Sequence, residues 1–147
     1  MIQFKIKPFR ELSTDELYAL LHLRSEVFVV EQNCVYQDID GKDQKAIHIL
    51  GYSDGILVAY SRLFKPKDYF EYSSIGRVIV KESHRDKKLG HELMCVSIDA
   101  IKTLFKETKI TISAQLYLQK FYESHGFAVV GESYLEDDIP HIEMKKE

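Results

Sequence analysis

The sequence predicts a mixed α/β protein, and three observations carry that prediction. Strand-like and helix-like patterns alternate along the 147 residues in the order β-α-β-β-β-α-β-α-β-β. Hydrophobic residues make up 45% of the chain and charged residues 29%, proportions of a folded globular protein rather than a disordered one. Residues 75–94, IGRVIVKESHRDKKLGHELM, pass from an apolar β-rich run through a short basic turn into an amphipathic helix. Crossover helices fall only in the middle of this order, so parallel and antiparallel pairing are expected to mix.

Residues 2–8 alternate Ile, Phe and Ile and read as the first strand. Ser13-Thr14-Asp15-Glu16 matches a capping box, with Ser13 as cap and Glu16 reaching back. Leu17, Leu20, Leu21, Arg24 and Phe28 keep helical spacing, which carries that helix to about residue 30. Residues 31–45 are polar and read as a loop or a short second helix. Strands are expected over 47–52 and 56–64, joined by Ser53-Asp54-Gly55 as a hairpin turn, and again over 75–80. A helix over 87–105, a buried strand over 110–114 and a helix over 116–124 follow, the last ended by Gly126. Residues 127–131 and 141–144 read as the final strands.

Whole-chain properties exclude several functions. A net charge of −3, from 20 basic and 23 acidic residues, provides no broad basic face for nucleic acid. The apolar runs are too short to cross a bilayer, and MIQFKIKPFREL carries no signal-peptide core. A cytoplasmic protein with no membrane partner is therefore expected. Cys34 and Cys95 lack CxxC spacing and read as reduced thiols, Cys34 as a half-buried structural one rather than a nucleophile. No metal is expected: Asp38-Ile39-Asp40-Gly41 places its glycine too early for a calcium loop, and its twelfth position is Ile49. The phosphate-loop pattern of nucleotide hydrolases and the full Gly-x-Gly-x-x-Gly are both missing.

The turn after residue 80 is the strongest candidate site. A helix start leaves backbone N–H groups unpaired, the helix dipole favours an anion there, and Arg85, Lys87 and Lys88 add full charge. A phosphate-bearing ligand fits this arrangement; the bland alternative is a solvated basic helix start.

The strand-turn-helix and the element order resemble the GCN5-related N-acetyltransferases, which use acetyl-coenzyme A. Their signature Arg/Gln-x-x-Gly-x-Gly/Ala, set five residues after a strand valine, maps onto Arg85-Asp86-Lys87-Lys88-Leu89-Gly90, with Val80 as the valine and Lys88 in place of the first glycine. The later run AQLYLQKFYESHGF, residues 114–127, is similar to the family's closing block, a helix ending in Tyr-x-x-x-Gly-Phe. Residues 27–43, VFVVEQNCVYQDIDGKD, and 134–144, YLEDDIPHIEM, resemble the ElaA-type members, with Asp138 where glycine is usual.

The resemblance implies a mixed, mostly antiparallel sheet of six to seven strands flanked by about four helices, as one N-acetyltransferase domain over residues 1–147. It implies that the pyrophosphate of acetyl-CoA lies on Arg85, Asp86, Lys87, Lys88, Leu89, Gly90 and His91. The pantetheine arm would run along Val78, Ile79 and Val80 like an added strand, with Gln115 bonding it. Tyr122 would protonate the departing thiolate. A thiol of pKa ~8.5 facing a phenol of pKa ~10 makes that transfer chemically reasonable, although a core aromatic beside Phe121 is the plain alternative for Tyr122.

The acceptor is expected to be a small-molecule or peptide amine. Glu31, Asp38, Asp40, Asp43, Glu136 and Asp137 concentrate in two segments that would form an acidic pocket if they converge. Glu31, His48 and His141 are the candidate bases, and Glu31, Asp40, Arg77, Glu136 and Asp137 the candidate acceptor contacts. Arg77 fits either an acceptor carboxylate or a structural ion pair. A homodimer is left open. The competing functional reading is a non-catalytic CoA-binding or protein-interaction module on the same fold, motivated by Lys88.

Overall fold

The computed structural model describes the backbone of residues 1–147 and every side chain except that of Lys87. β1 (Gln3–Pro8) leads into α1 (Thr14–Arg24), which starts at the predicted capping box. The Glu16 N–H donates to Ser13 Oγ at 3.0 Å, and the Ser13 N–H donates to Glu16 Oε1 at 2.8 Å. Helical pairing does not stay α to residue 30 but widens into a π-helical segment over Ser25–Glu31. The β-branched Val27, Val29 and Val30 crowd a regular α-helical turn, and π turns favour functional sites.

β2 (Ile47–Ser53) and β3 (Ile56–Phe64) form the expected hairpin, with Asp54 and Gly55 at φ 50° and 79° in the turn. β4 (Ser73–Val80) follows, then a 3-10 turn over Glu82–Lys87 and the long helix α2 (Leu89–Phe105). β5 (Ile110–Gln115), the short helix α3 (Gln119–Glu123), β6 (Ala128–Glu136) and β7 (Ile139–Lys146) complete the chain. Of the two readings of residues 31–45, the loop holds, carrying one 3-10 turn at Asp43–Lys45, and the chain has three α-helices. The last two strands are longer than expected. Asp137 and Asp138 take φ of 51° and 62°, forming a tight turn that pairs Glu136 with Ile139. Every β6 residue is exposed, so the strand carries no alternating hydrophobic pattern to read.

The seven strands form one sheet in the order β1-β2-β3-β4-β5-β7-β6. Only β4 and β5 run parallel, and they pair only at Ser73–Ile110 and Ser74–Thr111. Beyond those rungs they diverge, so residues 75–80 have no strand neighbour on the β5 side. Leu20, Leu23 and Val27 of the first helical segment pack on Leu50, Leu57, Tyr60 and Ile79 on one face. Leu89, Leu93, Met94 and Ile101 of α2 pack with Val58, Ala59, Ile112 and Met144 on the other.

A buried ionic network fixes the connection between α1 and β2 against the sheet. Arg24 is fully buried; its Nε lies 2.8 Å from Asp38 Oδ2 and its Nη1 2.6 Å from Asp43 Oδ1. Arg62 of β3 pairs with Asp43 at 3.0 Å and Asp40 at 2.8 Å. Arg77 of β4 pairs with Asp38 at 2.7 Å and Asp40 at 3.5 Å. Burial alone would raise the Asp43 carboxyl, but hydrogen bonds from Arg24 and Arg62 outweigh it and hold it below the usual carboxylate range. Three arginines and three aspartates neutralise one another.

Removing one member leaves buried charge short of a partner. Arg24→Met is expected to lower the unfolding free energy by about 3–5 kcal/mol, read by urea denaturation; a loss well under ~1 kcal/mol would show that the network adds no stability. A second expectation concerns Lys88, which caps α2 with φ 56° and ψ 21°. That is the left-handed conformation glycine adopts freely, so Lys88→Gly is expected to raise stability by up to about 1 kcal/mol. A lower melting temperature in the variant would contradict this account of the turn.

Candidate functional site

The divergence of β4 from β5 opens a cavity of about 660 Å³. One wall is β4, with Gly76, Arg77, Val78, Ile79 and Val80 on the lining. The other is β5 and the segment after it, contributing Ile112, Ser113, Gln115, Tyr117, Phe121 and Tyr122. The free edge of β4 offers backbone N–H and C=O groups to an extended ligand, as an added strand would use them.

At one end lies the turn before α2. Arg85, Asp86, Lys88, Gly90 and His91 line it, while Leu89 points into the core at 2% exposure. The side chain of Lys87 lies outside the described residues. A Cβ built on Gly90 would sit 3.4 Å from the Phe121 ring, so a larger residue there would press on the cavity wall. His91 Nδ1 is 2.9 Å from His125 Nε2, and its ring centroid is 4.8 Å from that of Phe121. Arg85 donates from Nε to the Val80 carbonyl at 2.9 Å and from Nη2 to Glu31 Oε1 at 2.9 Å, with a second short bond from Nη1 to Glu31 Oε2. This clasp joins the π-helical segment to the turn.

Tyr122 sits in the deep wall with 6% exposure and rings of Phe121 and Phe127 beside it at 5.1 and 6.1 Å. Burial pushes its phenol well above the ordinary tyrosine range, so it stays protonated at neutral pH. Among the described residues nothing hydrogen-bonds its hydroxyl. The unpartnered side-chain atoms that are fully sealed are Arg62 Nε and Ser73 Oγ, so the Tyr122 hydroxyl is reached from the cavity.

The other end is built from β5, β6 and β7. His141 is 7% exposed, and its Nδ1–H donates to the Ile139 carbonyl at 2.7 Å. That bond places a proton on Nδ1, so Nε2, 3.6 Å from Glu136 Oε2, is the ring nitrogen left facing the carboxylate. Ser113 Oγ donates to Glu136 Oε1 at 3.0 Å and accepts from the Tyr134 hydroxyl. Cys34 reaches across from the loop after the π-helical segment, its Sγ 3.4 Å from the Asp137 carbonyl.

The structure brings most of the residues singled out from the sequence to this one cavity, but not all. His48 is corrected: it is fully buried in β2, away from the cavity. Its Nε2–H donates to the Asp43 carbonyl at 2.9 Å and its Nδ1 accepts from the Tyr60 hydroxyl at 2.6 Å, while burial lowers its pKa. It is a neutral structural histidine. Asp40 is also corrected: Arg62 and Arg77 engage it, and it does not line the cavity. Arg77 lines the cavity, yet its Nε and Nη2 are committed to Asp38 and Asp40, which makes it an ion-pair partner rather than a free cation. Glu31 lines the cavity as the partner of Arg85, whose hydrogen bonds hold its carboxyl below the usual range. That makes it a weak proton acceptor.

Ser113, Tyr134, Tyr36 and Cys34 join the site without having been singled out for it. Ser113 was findable: it lies two residues before Gln115, on the same face of β5. Cys34 and Tyr36 reach the site through the fold of a loop, which local patterning does not encode.

Known proteins are similar to this chain in sequence and fold. The family of the acetyltransferase (GNAT) domain matches residues 11–147. Protein ElaA of Escherichia coli K12 is 48% identical over 149 aligned positions, covering 100% of this chain and 97% of its own. The crystal structure of Escherichia coli ElaA superposes with a TM-score of 0.93 over all of both chains at 47% identity. An acyl-CoA N-acyltransferase from Pseudomonas aeruginosa superposes at 0.94 with 44% identity, again over 100% of each chain. A GNAT family acetyltransferase from Elizabethkingia anophelis with acetyl-CoA bound shares the fold alone, with a TM-score of 0.66 at 16% identity over 99% and 97% of the two chains. With a domain match over nearly the whole chain and a full-length relative at this identity, the chain belongs to the GNAT acetyltransferase family.

Proposed function

We propose that the chain works as one N-acetyltransferase domain over residues 1–147, moving an acetyl group from acetyl-CoA directly to an amine. The observation that carries this reading is the buried Tyr122 hydroxyl, which lacks a protein partner and opens onto the cavity between β4 and β5. The acetyl-CoA bound by the Elizabethkingia anophelis protein supports the choice of cosubstrate.

The residues fit such a ligand. Arg85 and Lys88, with the N–H groups of the α2 start, receive its phosphates, and the free edge of β4 at Val78–Val80 receives its extended arm. Lys88 takes a left-handed backbone conformation of the kind glycine adopts freely, so its place in the motif is compatible with the turn. Acetyl-CoA supplies the acetyl group as a thioester. A β4 backbone N–H polarises the acyl carbonyl. His141 Nε2 accepts the proton that leaves the amine nitrogen, and Glu136 beside it stabilises the resulting imidazolium. The new C–N bond forms as the C–S bond breaks, and Tyr122 gives its proton to the sulfur.

Two experiments follow. Tyr122→Phe and His141→Gln are each expected to lower kcat by about 10²–10⁴-fold, the usual span for acid–base groups, with acetyl-CoA affinity within a few-fold of wild type by calorimetry. Unchanged turnover would remove the residue concerned from the chemistry. Tight cofactor binding with no thiol release for any amine would favour the non-catalytic module. Glu31→Gln frees Arg85 for phosphate and is expected to tighten CoA binding by up to about fivefold, the scale of an exposed ion pair. Weaker binding in the variant would mean that Glu31 assists the ligand rather than competing with it.

A further inference from the structure

We infer that the acceptor is a diamine or polyamine, an amine bearing a second ammonium group a few carbons away, rather than an α-amino acid; this rests on the transferase reading above. Charge is left over at the cavity after every internal pair is made. Around the cavity the charged residues divide into two groups. Arg85, Asp86, Lys88 and His91 gather at the α2 start, with Glu31 clasped to Arg85. Glu136, Asp137 and His141 gather at the β6–β7 turn, with Arg77 on the β4 wall.

In that second group the cation is already taken. Arg77 belongs to the self-neutral set of three arginines and three aspartates, with Asp38 at 2.7 Å and Asp40 at 3.5 Å. Glu136 and Asp137 have no such compensation. Among the described residues the nearest cationic candidate to Glu136 is His141, whose Nε2 lies 3.6 Å away, beyond hydrogen-bond distance. Ser113 donates to one Glu136 oxygen, which orients the carboxylate without neutralising it. Glu136 is 45% exposed, so it can meet a solvated ligand group without large rearrangement.

A ligand is called for in this cavity by a second observation independent of the acids. Tyr122 is more than nine-tenths buried, and its hydroxyl opens on the same cavity without a partner. The reacting nitrogen must be neutral when it attacks, so it cannot balance two carboxylates itself. A second ammonium on the same molecule can. An α-carboxylate would instead face Glu136 and Asp137, where among the described residues the one arginine nearby, Arg77, is already paired with Asp38 and Asp40. In the reaction one amine nitrogen forms the C–N bond and gives its proton to His141. The C–S bond breaks, the sulfur takes the Tyr122 proton, and the distal ammonium stays charged throughout.

The test uses the full chain, acetyl-CoA and three acceptors differing by one group each: cadaverine, pentylamine, which lacks the second ammonium, and lysine, which adds a carboxylate to cadaverine. Thiol release is expected to give cadaverine a kcat/KM at least about tenfold above either comparator, the effect of one to two exposed charge contacts. Raising ionic strength should narrow the cadaverine-to-pentylamine ratio. Asp137→Asn, a residue type that tolerates the left-handed turn, should narrow the same ratio mainly through KM for cadaverine. Lysine or pentylamine matching cadaverine would overturn the acceptor class while leaving the transferase reading in place. No thiol release with any amine, these three included, would instead overturn the transferase reading itself.

Discussion

The Arg24–Asp38–Arg77 and Arg62–Asp43 contacts are the constraint on which the rest of the site depends. They join α1, β3 and β4 to one connection of irregular backbone, residues 32–46, that would otherwise have only its ends fixed. From that connection Tyr36 donates to Asp38 at 2.9 Å and lies under the Arg77 guanidinium, 5.8 Å from its ring centroid. Cys34 touches the Asp137 carbonyl on the far side of the cavity. A buried salt bridge is weak evidence for stability compared with apolar packing, and its better attested role is to select one arrangement over others. Here the arrangement selected holds both walls of the cavity in register.

Arg77 shows how the network and the cavity are linked. It has φ of 50° within β4, where the pairing with β3 slips between Tyr60 and Arg62. A non-glycine residue in that region costs roughly 1–3 kcal/mol and persists only where its surroundings over-determine it. Asp38 and Asp40 supply that determination. The bulge then lets Val78 and Val80 face the α2 side while β4 leaves β5, so the strain in one residue and the opening of the cavity have a common origin. Lys88 is a second non-glycine residue in the left-handed region, at the other end of the same wall.

Local signals in the sequence were legible where a short segment decides its own conformation. The capping box at Ser13, the Asp54-Gly55 turn and the strand-turn-helix over 75–94 all belong to this class. Signals that depend on distant partners were not. Six acids in two segments read as an acidic pocket, but Asp38, Asp40 and Asp43 are matched by arginines from three other elements. The clue was Arg24, a cation on the apolar stripe of α1, where a charge survives only if it is paired. His48 had a clue as well. It shares strand parity with Leu50, whose side chain packs under α1, so its position was inward from the start. β6 was cut short because a strand exposed along its whole length has no apolar rhythm, and only the paired positive φ values of Asp137 and Asp138 define its end.

Tyr122 brings these strands of reasoning to one atom. Its ring belongs to the core, packed between Phe121 and Phe127, and a phenylalanine would make the same contacts. The hydroxyl therefore contributes nothing to that packing, and it faces the cavity rather than the sealed core. The same surroundings raise its pKa and keep the proton in place. A group that is buried, protonated and unpartnered at the floor of an open cavity is poised to donate to whatever enters. At the cavity's ends the charges sort into a cationic turn for phosphate and an uncompensated pair of acids. The hydroxyl stands in the wall of the same cavity, open to a thioester received by the first and an amine held by the second.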